Sequence, residues 1–175
     1  KKKHISKCGE LGCALSHLKI LELAKERGYK KWLHLEDDVI FHNNFNNLFT
    51  KNMRHIPNTW DILYFGRTQC YWRKYNIEIV NDFFNKANLT CGTFAFAVSN
   101  IKIDFILNRF KMLMYPADGT LCHEIQNILN CYAINENLII ARMNTSNIRE
   151  SKTILQELEE FKKLGWNFQN YNFYN

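Results

Sequence analysis

The chain has 175 residues, 46% hydrophobic and 14% aromatic, enough for one sizeable core, and its seven glycines and two prolines exclude a linker-rich or disordered chain. Its formal net charge of +6 favours anionic partners, but the excess is dispersed apart from Lys1-Lys2-Lys3, which reads as a solvated tail. No apolar run reaches the roughly 18 residues of a membrane span, and none of the six cysteines forms a Cys-x-x-Cys pair, so a zinc ribbon is not expected either.

A first helix is expected over residues 9–27, with Leu11, Ala14, Leu15, Leu18, Leu21 and Leu23 as its apolar face and Gly28 ending it. Residues 31–35 read as a short buried strand that runs into Glu36-Asp37-Asp38 and then Val39-Ile40-Phe41. Residues 43–54 read as a helix stopped by Pro57. Residues 60–65 form a second strand ending at Gly66, and the aperiodic aromatic stretch 69–84 reads as a loop with a short hairpin. Residues 91–99 are rich in sheet formers and precede an amphipathic helix over 101–113. Pro116-Ala117-Asp118-Gly119 marks a turn, with Asp118 where an N-cap belongs, ahead of a helix over 121–129. Two short strands, 132–134 and 138–140, lead to a last helix capped by Ser151 and ended by Gly165, then a tail over 169–175 that is mobile unless docked. Strands alternating with helices predict one α/β domain of three layers over residues 1–175, with a helical C-terminal extension over about 151–175.

Three consecutive carboxylates after an apolar strand repel one another unless a cation neutralises them. Ligands of open α/β sheets bind beyond the carboxyl ends of the strands, which puts Glu36, Asp37 and Asp38 at the expected mouth of a site. In extended backbone Glu36 and Asp38 project together and Asp37 points the other way. Two oxygen ligands on one side suit a hard divalent ion, Mn²⁺ or Mg²⁺, bridging the two phosphates of a nucleotide. Alone, the triplet reads equally as a solvated acidic turn.

Gly9-Glu10-Leu11-Gly12-Cys13-Ala14-Leu15-Ser16-His17, followed by Leu35-Glu36-Asp37-Asp38-Val39, resembles glycosyltransferase family 25. That family includes bacterial lipooligosaccharide β-galactosyltransferases and the collagen galactosyltransferases of animals and giant viruses. Trp60-Asp61-Ile62-Leu63-Tyr64-Phe65-Gly66 resembles its W-D-hydrophobic strand, Cys91-Gly92-Thr93-Phe94-Ala95-Phe96 its G-T-x-aromatic strand, Pro116-Ala117-Asp118 its P-x-D turn, and Thr145-Ser146-Asn147-Ile148 its S-D-I segment. These matches run in order over roughly residues 6–150. Two departures stand out: the V-I-N-L-D strand with which the family opens has no counterpart in this chain, and Asn147 stands where the family has Asp.

The resemblance implies a GT-A-like (Rossmann-like) three-layer sandwich, a UDP-sugar donor (commonly UDP-galactose), a divalent metal such as Mn²⁺, and inversion at the anomeric carbon. On that mapping Asp38 ligates the metal, and Glu36 meets the ribose or the metal and its water shell. Asp37 joins the nucleotide-binding groups if the strand has already turned there. Asp118, on the P-x-D turn, is the candidate catalytic base, with an N-cap as its competing role. His17 faces the site to meet a phosphate or orient a carboxylate, and Gly92 and Thr93 line the donor sugar. His123 or Glu124 completes the metal shell, Arg67 holds a phosphate, and the aromatics of 71–75 stack on an acceptor sugar. The partners implied are a nucleotide-sugar donor and a glycan or collagen-like protein acceptor bearing hydroxylysine, with no nucleic acid expected. Two rival readings remain: a basic nucleic-acid-binding module built on Tyr71-Trp72-Arg73-Lys74-Tyr75, and a transferase-like domain without activity. The even cysteine count and the sequons at Asn88 and Asn144 leave the compartment open between cytoplasm and secretory lumen.

Overall fold

A computed structural model describes residues 4–68, 77–142 and 153–172. In chain order its elements are α1 (Cys8–Glu26), β1 (Lys31–Leu35), β2 (Val39–Phe41), α2 (Phe45–Met53), β3 (Ile62–Tyr64), β4 (Phe84–Lys86), β5 (Ala95–Ser99), α3 (Ile103–Lys111), α4 (Ala117–Thr120), β6 (Cys131–Ile134), β7 (Ile139–Ala141) and α5 (Ile154–Leu164). The main sheet has the order β1-β5-β3-β6-β4 and is mixed: β3 and β6 pair in parallel, and the other neighbours are antiparallel. β2 and β7 form a separate antiparallel ribbon. This mixed α/β architecture is compatible with a Rossmann-like fold.

Both faces of the main sheet are covered, and the two-residue period of its strands sorts side chains between two cores. Ile62 and Tyr64 of β3, Phe96 and Val98 of β5, and Cys131 and Ala133 of β6 join α3 residues Ile106, Leu107 and Phe110 on one face. Leu63, Ala95, Ala97 and Ile134 turn to the other, where Ile139 and Ile140 of the ribbon, Phe49 of α2 and Phe161 of α5 meet them.

Helix α1 turns Glu10, Ala14, His17, Leu21 and Ala24 inward at three- and four-residue steps. Leu11 and Leu15 of the expected apolar face are instead exposed. The Glu10 carboxylate folds back to accept from the amides of Ser6 (2.9 Å) and Lys7 (3.3 Å), occupying donors that a helix start leaves unmatched. Gly28, at φ +68°, supplies the left-handed exit.

β1 departs from the buried strand expected of it. It lies at the edge of the sheet, with β5 as its strand neighbour, and its leucines are open to solvent, Leu33 at 40% and Leu35 at 37%. Trp32 and His34 point under α1 instead. Which alternate set is buried depends on the side α1 packs against, and a five-residue pattern does not carry that information.

The 117–125 region also differs from expectation. α4 starts at Ala117, with Pro116 as its N-cap, and passes directly into a π-helical turn, Leu121–Ile125. Asp118 is therefore a first-turn residue rather than the cap, and its Oδ1 accepts from the next amide, that of Gly119 (2.7 Å). α5 is capped by the Thr153 hydroxyl, which accepts from the Gln156 amide, and ends at Gly165 at φ +74°; the expected cap, Ser151, lies outside the described residues. The tail docks as far as it is described: Tyr171 is buried and its hydroxyl donates to the Asn137 carbonyl (2.8 Å).

Candidate functional site

The strand end that carries the acidic triplet is tied to the centre of the sheet. The amide of Glu36 donates to the Phe94 carbonyl (2.9 Å), one step beyond the β1–β5 ladder. The chain then turns at Asp37-Asp38 before β2 begins. The alternation of an extended strand stops there, and the triplet divides between two environments.

Glu36 turns toward α1. Its Oε1 accepts from the Thr93 hydroxyl (2.7 Å) and lies 3.4 Å from Nε2 of His17. Cys13, one helical turn before His17, brings its sulfur into the same cluster, with the donor atoms of Cys13, His17 and Glu36 all within 4.8 Å of one another. His17 is only 3% exposed and meets the buried His34 ring edge-on at 4.4 Å, and His34 in turn lies against Phe96 at 4.9 Å.

Burial sets the charge states here. Desolvation, with a contribution from His34, lowers the His17 pKa to about 3, and desolvation lowers that of His34 to about 4. Both rings are therefore neutral at physiological pH, so the His17–Glu36 contact is not an ion pair. Glu36 is raised above the ordinary carboxylate range, chiefly by burial; the Thr93 hydrogen bond opposes this, and Asp38, Asp118 and Asp37 add to it. Burial also raises the Cys13 thiol to about 11, with Glu36, Asp118 and Asp38 pushing the same way. Asp38 and Asp118 thus add negative charge to the field felt by Glu36 and Cys13.

Asp37 and Asp38 line a second, more open feature, a groove of about 360 Å³ shared with Val39, Ile40, Phe41, Arg142 and Asn172. The amide of Arg142 donates to the Asp38 carbonyl (2.9 Å), and its guanidinium pairs with the buried Glu157 carboxylate at 3.1 Å. Arg142 thus lines the groove together with the two aspartates, its guanidinium already engaged by Glu157.

The remaining candidates divide. Thr93 is buried beside Glu36, and Gly92 precedes it at φ +103°, where an added Cβ would lie 2.7 Å from the Phe94 ring and 3.3 Å from the Arg67 Cα. Asp118 acts electrostatically on both Glu36 and Cys13. His123 packs against Tyr115 and Glu124 faces Arg109 at 4.0 Å, so neither joins the Cys13–His17–Glu36 group. Arg67 is 1% exposed and donates to the Asn135 carbonyl (3.0 Å), which fixes it in the fold beneath the surface. The aromatic cluster 71–75 and the 145–148 segment lie outside the described residues.

Sequence reasoning gives neither Cys13 nor Arg142 a part in the site. The Cys13-x-x-x-His17 spacing is the signal for the first, since residues four apart share a helix face. Arg142 carries no comparable signal, because it reaches the triplet only through the pairing of β2 with β7.

The sequence model of glycosyltransferase family 25 (LPS biosynthesis protein) matches residues 1–90. Among curated proteins, an inactive glycosyltransferase 25 family member 3 from Homo sapiens is 41% identical over 64 residues, 35% of this chain and 11% of that protein. Procollagen galactosyltransferase 2 from Mus musculus is 37% identical over 62 residues, 34% of this chain and 10% of its own length. The matched part thus spans about a tenth of the length of these relatives. No helix among the described residues is long and apolar enough to cross a membrane.

Proposed function

The chain belongs to glycosyltransferase family 25, and from that premise we propose that it carries the donor site of a metal-dependent, inverting glycosyltransferase of GT-A type. It moves a hexose, galactose by preference, from a UDP-sugar to a hydroxyl of a glycan or of a hydroxylysine-bearing protein. The name of one relative, a procollagen galactosyltransferase, supports the choice of sugar and of a protein acceptor. The observation that carries the reading is the turn at the end of β1, which sets Glu36 on the Thr93 hydroxyl and Asp37 and Asp38 on the groove beside it.

A group of carboxylates at the mouth of an α/β sheet fits a hard divalent cation, because oxygen ligands and negative charge are what Mn²⁺ or Mg²⁺ requires. Asp38 with Glu36 would hold it, and when bound it supplies charge neutralisation for the departing diphosphate. The chain's own residues do the rest. Arg142, at the groove rim, meets phosphate oxygens. Thr93 holds Glu36 in one orientation through its 2.7 Å hydrogen bond. Asp118 takes the proton from the acceptor hydroxyl as that oxygen forms its bond to the anomeric carbon. The bond from the same carbon to the diphosphate oxygen breaks on the opposite face, so a single displacement inverts the centre and needs no enzyme nucleophile.

Thermal shift with Mn²⁺ and a panel of UDP-sugars, followed by donor hydrolysis by wild type and Asp38→Ala, tests this reading. Stabilisation by UDP only in the presence of metal, and loss of hydrolysis in the variant, are expected. Equal hydrolysis rates remove the metal assignment. The relatives named inactive favour one other reading, a transferase-like domain that binds donor without turnover; metal-dependent UDP binding with no hydrolysis or transfer by wild type would establish it.

A further inference from the structure

The helix-facing half of the site has a different chemistry from the carboxylate mouth. Cys13 and His17 lie four residues apart on one face of α1, the spacing at which two side chains of a helix converge on one point. Glu36 meets them from the end of β1, with the three donor atoms within 4.8 Å of one another. A sulfur, an imidazole nitrogen and one carboxylate oxygen form a soft-to-borderline ligand set.

The nitrogen–oxygen distance matches the ion such a set selects. Zinc binds nitrogen and oxygen at about 2.0–2.2 Å, so two such ligands in tetrahedral geometry stand about 3.3–3.5 Å apart. Nε2 of His17 and Oε1 of Glu36 stand 3.4 Å apart. A second observation points the same way. His17 is 3% exposed, yet neither ring nitrogen has a hydrogen-bond partner among the described residues. A buried imidazole with both nitrogens unmatched is costly, and a bound cation would engage the one facing Glu36. Two contacts position the ligands: the Thr93 hydroxyl fixes the Glu36 carboxylate, and the edge of His34 packs against the His17 ring.

We infer that Cys13, His17 and Glu36 form a binding site for a thiophilic divalent cation of the zinc class, distinct in ligand type from the hard-ion site at Asp38. Binding forms a sulfur–metal bond and releases the Cys13 thiol proton to solvent. Cys13 and Glu36 are only half-buried, so water has access to the fourth coordination position. This site shares Glu36 with the proposed donor metal but rests on Cys13 and His17, which that metal does not use, so the cobalt band tests it whether or not the transferase reading holds.

Chelator-stripped full chain titrated with Co²⁺ tests it. A thiolate-to-cobalt charge-transfer band, one ion per chain and displaced by Zn²⁺ but not by excess Mg²⁺, is expected. Cys13→Ser removes the band and weakens Zn²⁺ binding about a hundredfold or more, whereas Asp38→Ala keeps both. A measurement that needs no variant runs alongside: Zn²⁺ slows alkylation of Cys13, read by mass spectrometry, while the exposed Cys8 on the same helix reacts at an unchanged rate. No thiolate band, or a band that survives in Cys13→Ser together with unprotected Cys13, overturns the inference. An Asp38→Ala variant that loses Mn²⁺-dependent UDP binding while keeping the cobalt band supports a thiophilic site that does not need Asp38.

Discussion

Gly66 ends β3 at a point where no side chain fits. A Cβ built there lies 2.1 Å from the Ile139 carbonyl oxygen and 2.3 Å from Cε2 of Phe94. Relief requires a displacement of about 1 Å or more between β3 and the ribbon strand β7, because the oxygen belongs to backbone and cannot rotate away. The Phe65 carbonyl beside it accepts from the amides of Leu138 (2.9 Å) and Ile139 (3.2 Å), and both bonds stretch with that shift. Two weakened backbone hydrogen bonds, at about 1 kcal/mol each, and overpacking at about 1–3 kcal/mol predict that Gly66→Ala costs about 3–5 kcal/mol. For a chain of this size that is a fall in Tm of roughly 10 °C. The displaced Phe94 also carries the carbonyl that anchors Glu36, so under the proposed function Mn²⁺-dependent nucleotide binding weakens in the same variant. Urea unfolding and thermal melts measure the first effect, and a binding titration below the transition measures the second. A variant melting within 2 °C of wild type, about 1 kcal/mol at this size, would refute the packing argument.

Other predictions follow from the buried charges and bonds. His17 and His34 have folded pKa values of about 3 and about 4, below the ordinary 6.5. Above pH 6.5 both states are neutral; below it the unfolded chain takes up protons that the fold refuses, so metal-free protein loses up to about 1.4 kcal/mol per pH unit per histidine down to pH 4. A urea midpoint unchanged from pH 7.5 to 5 contradicts this. Glu36 has the opposite sign: its raised pKa means that its contribution is fullest below the unfolded carboxylate value and is lost as pH rises through the folded one. Thr93→Val, which removes the hydrogen bond favouring the anion, therefore destabilises by about 1–2 kcal/mol near neutral pH and by less at pH 4, as chemical denaturation at both values will reveal. Tyr171→Phe removes a buried bond to the Asn137 carbonyl and costs about 1 kcal/mol; faster amide exchange over residues 168–172 than in wild type is the accompanying local sign.

The order of helices and strands is legible in the chain because each long element carries its own period, and α3 and β3 fall inside their expected ranges. What the sequence leaves open is nonlocal. Trp32 and His34 alternate with Leu33 and Leu35, and either pair suits a core, so only the placement of α1 decides between them. Glu36 and Asp38 are readable as a strand-end acidic site, but their separation into a helix-facing carboxylate and a groove-facing one arises from the turn at Asp37-Asp38. The backing of that turn by Arg142 comes from a strand about a hundred residues later, and helical or strand periodicity carries no trace of such a partner.

The edge position of β1 has a consequence for the order of folding. α1 and β1 are consecutive in the chain, so the contact between His17 and His34 is short-range, although Phe96 and Phe110 also pack against the pair. The Thr93 hydroxyl that orients Glu36 arrives only with β5, after a loop of nearly sixty residues has closed, at an entropic cost of roughly 3–4 kcal/mol beyond the constant term. The shorter closure favours the histidine contact over the fixed orientation of the acid as the earlier of the two to form. In partial unfolding the sequence reverses: separation of the β1–β5 edge frees Glu36 while α1 still holds its two ligands in register.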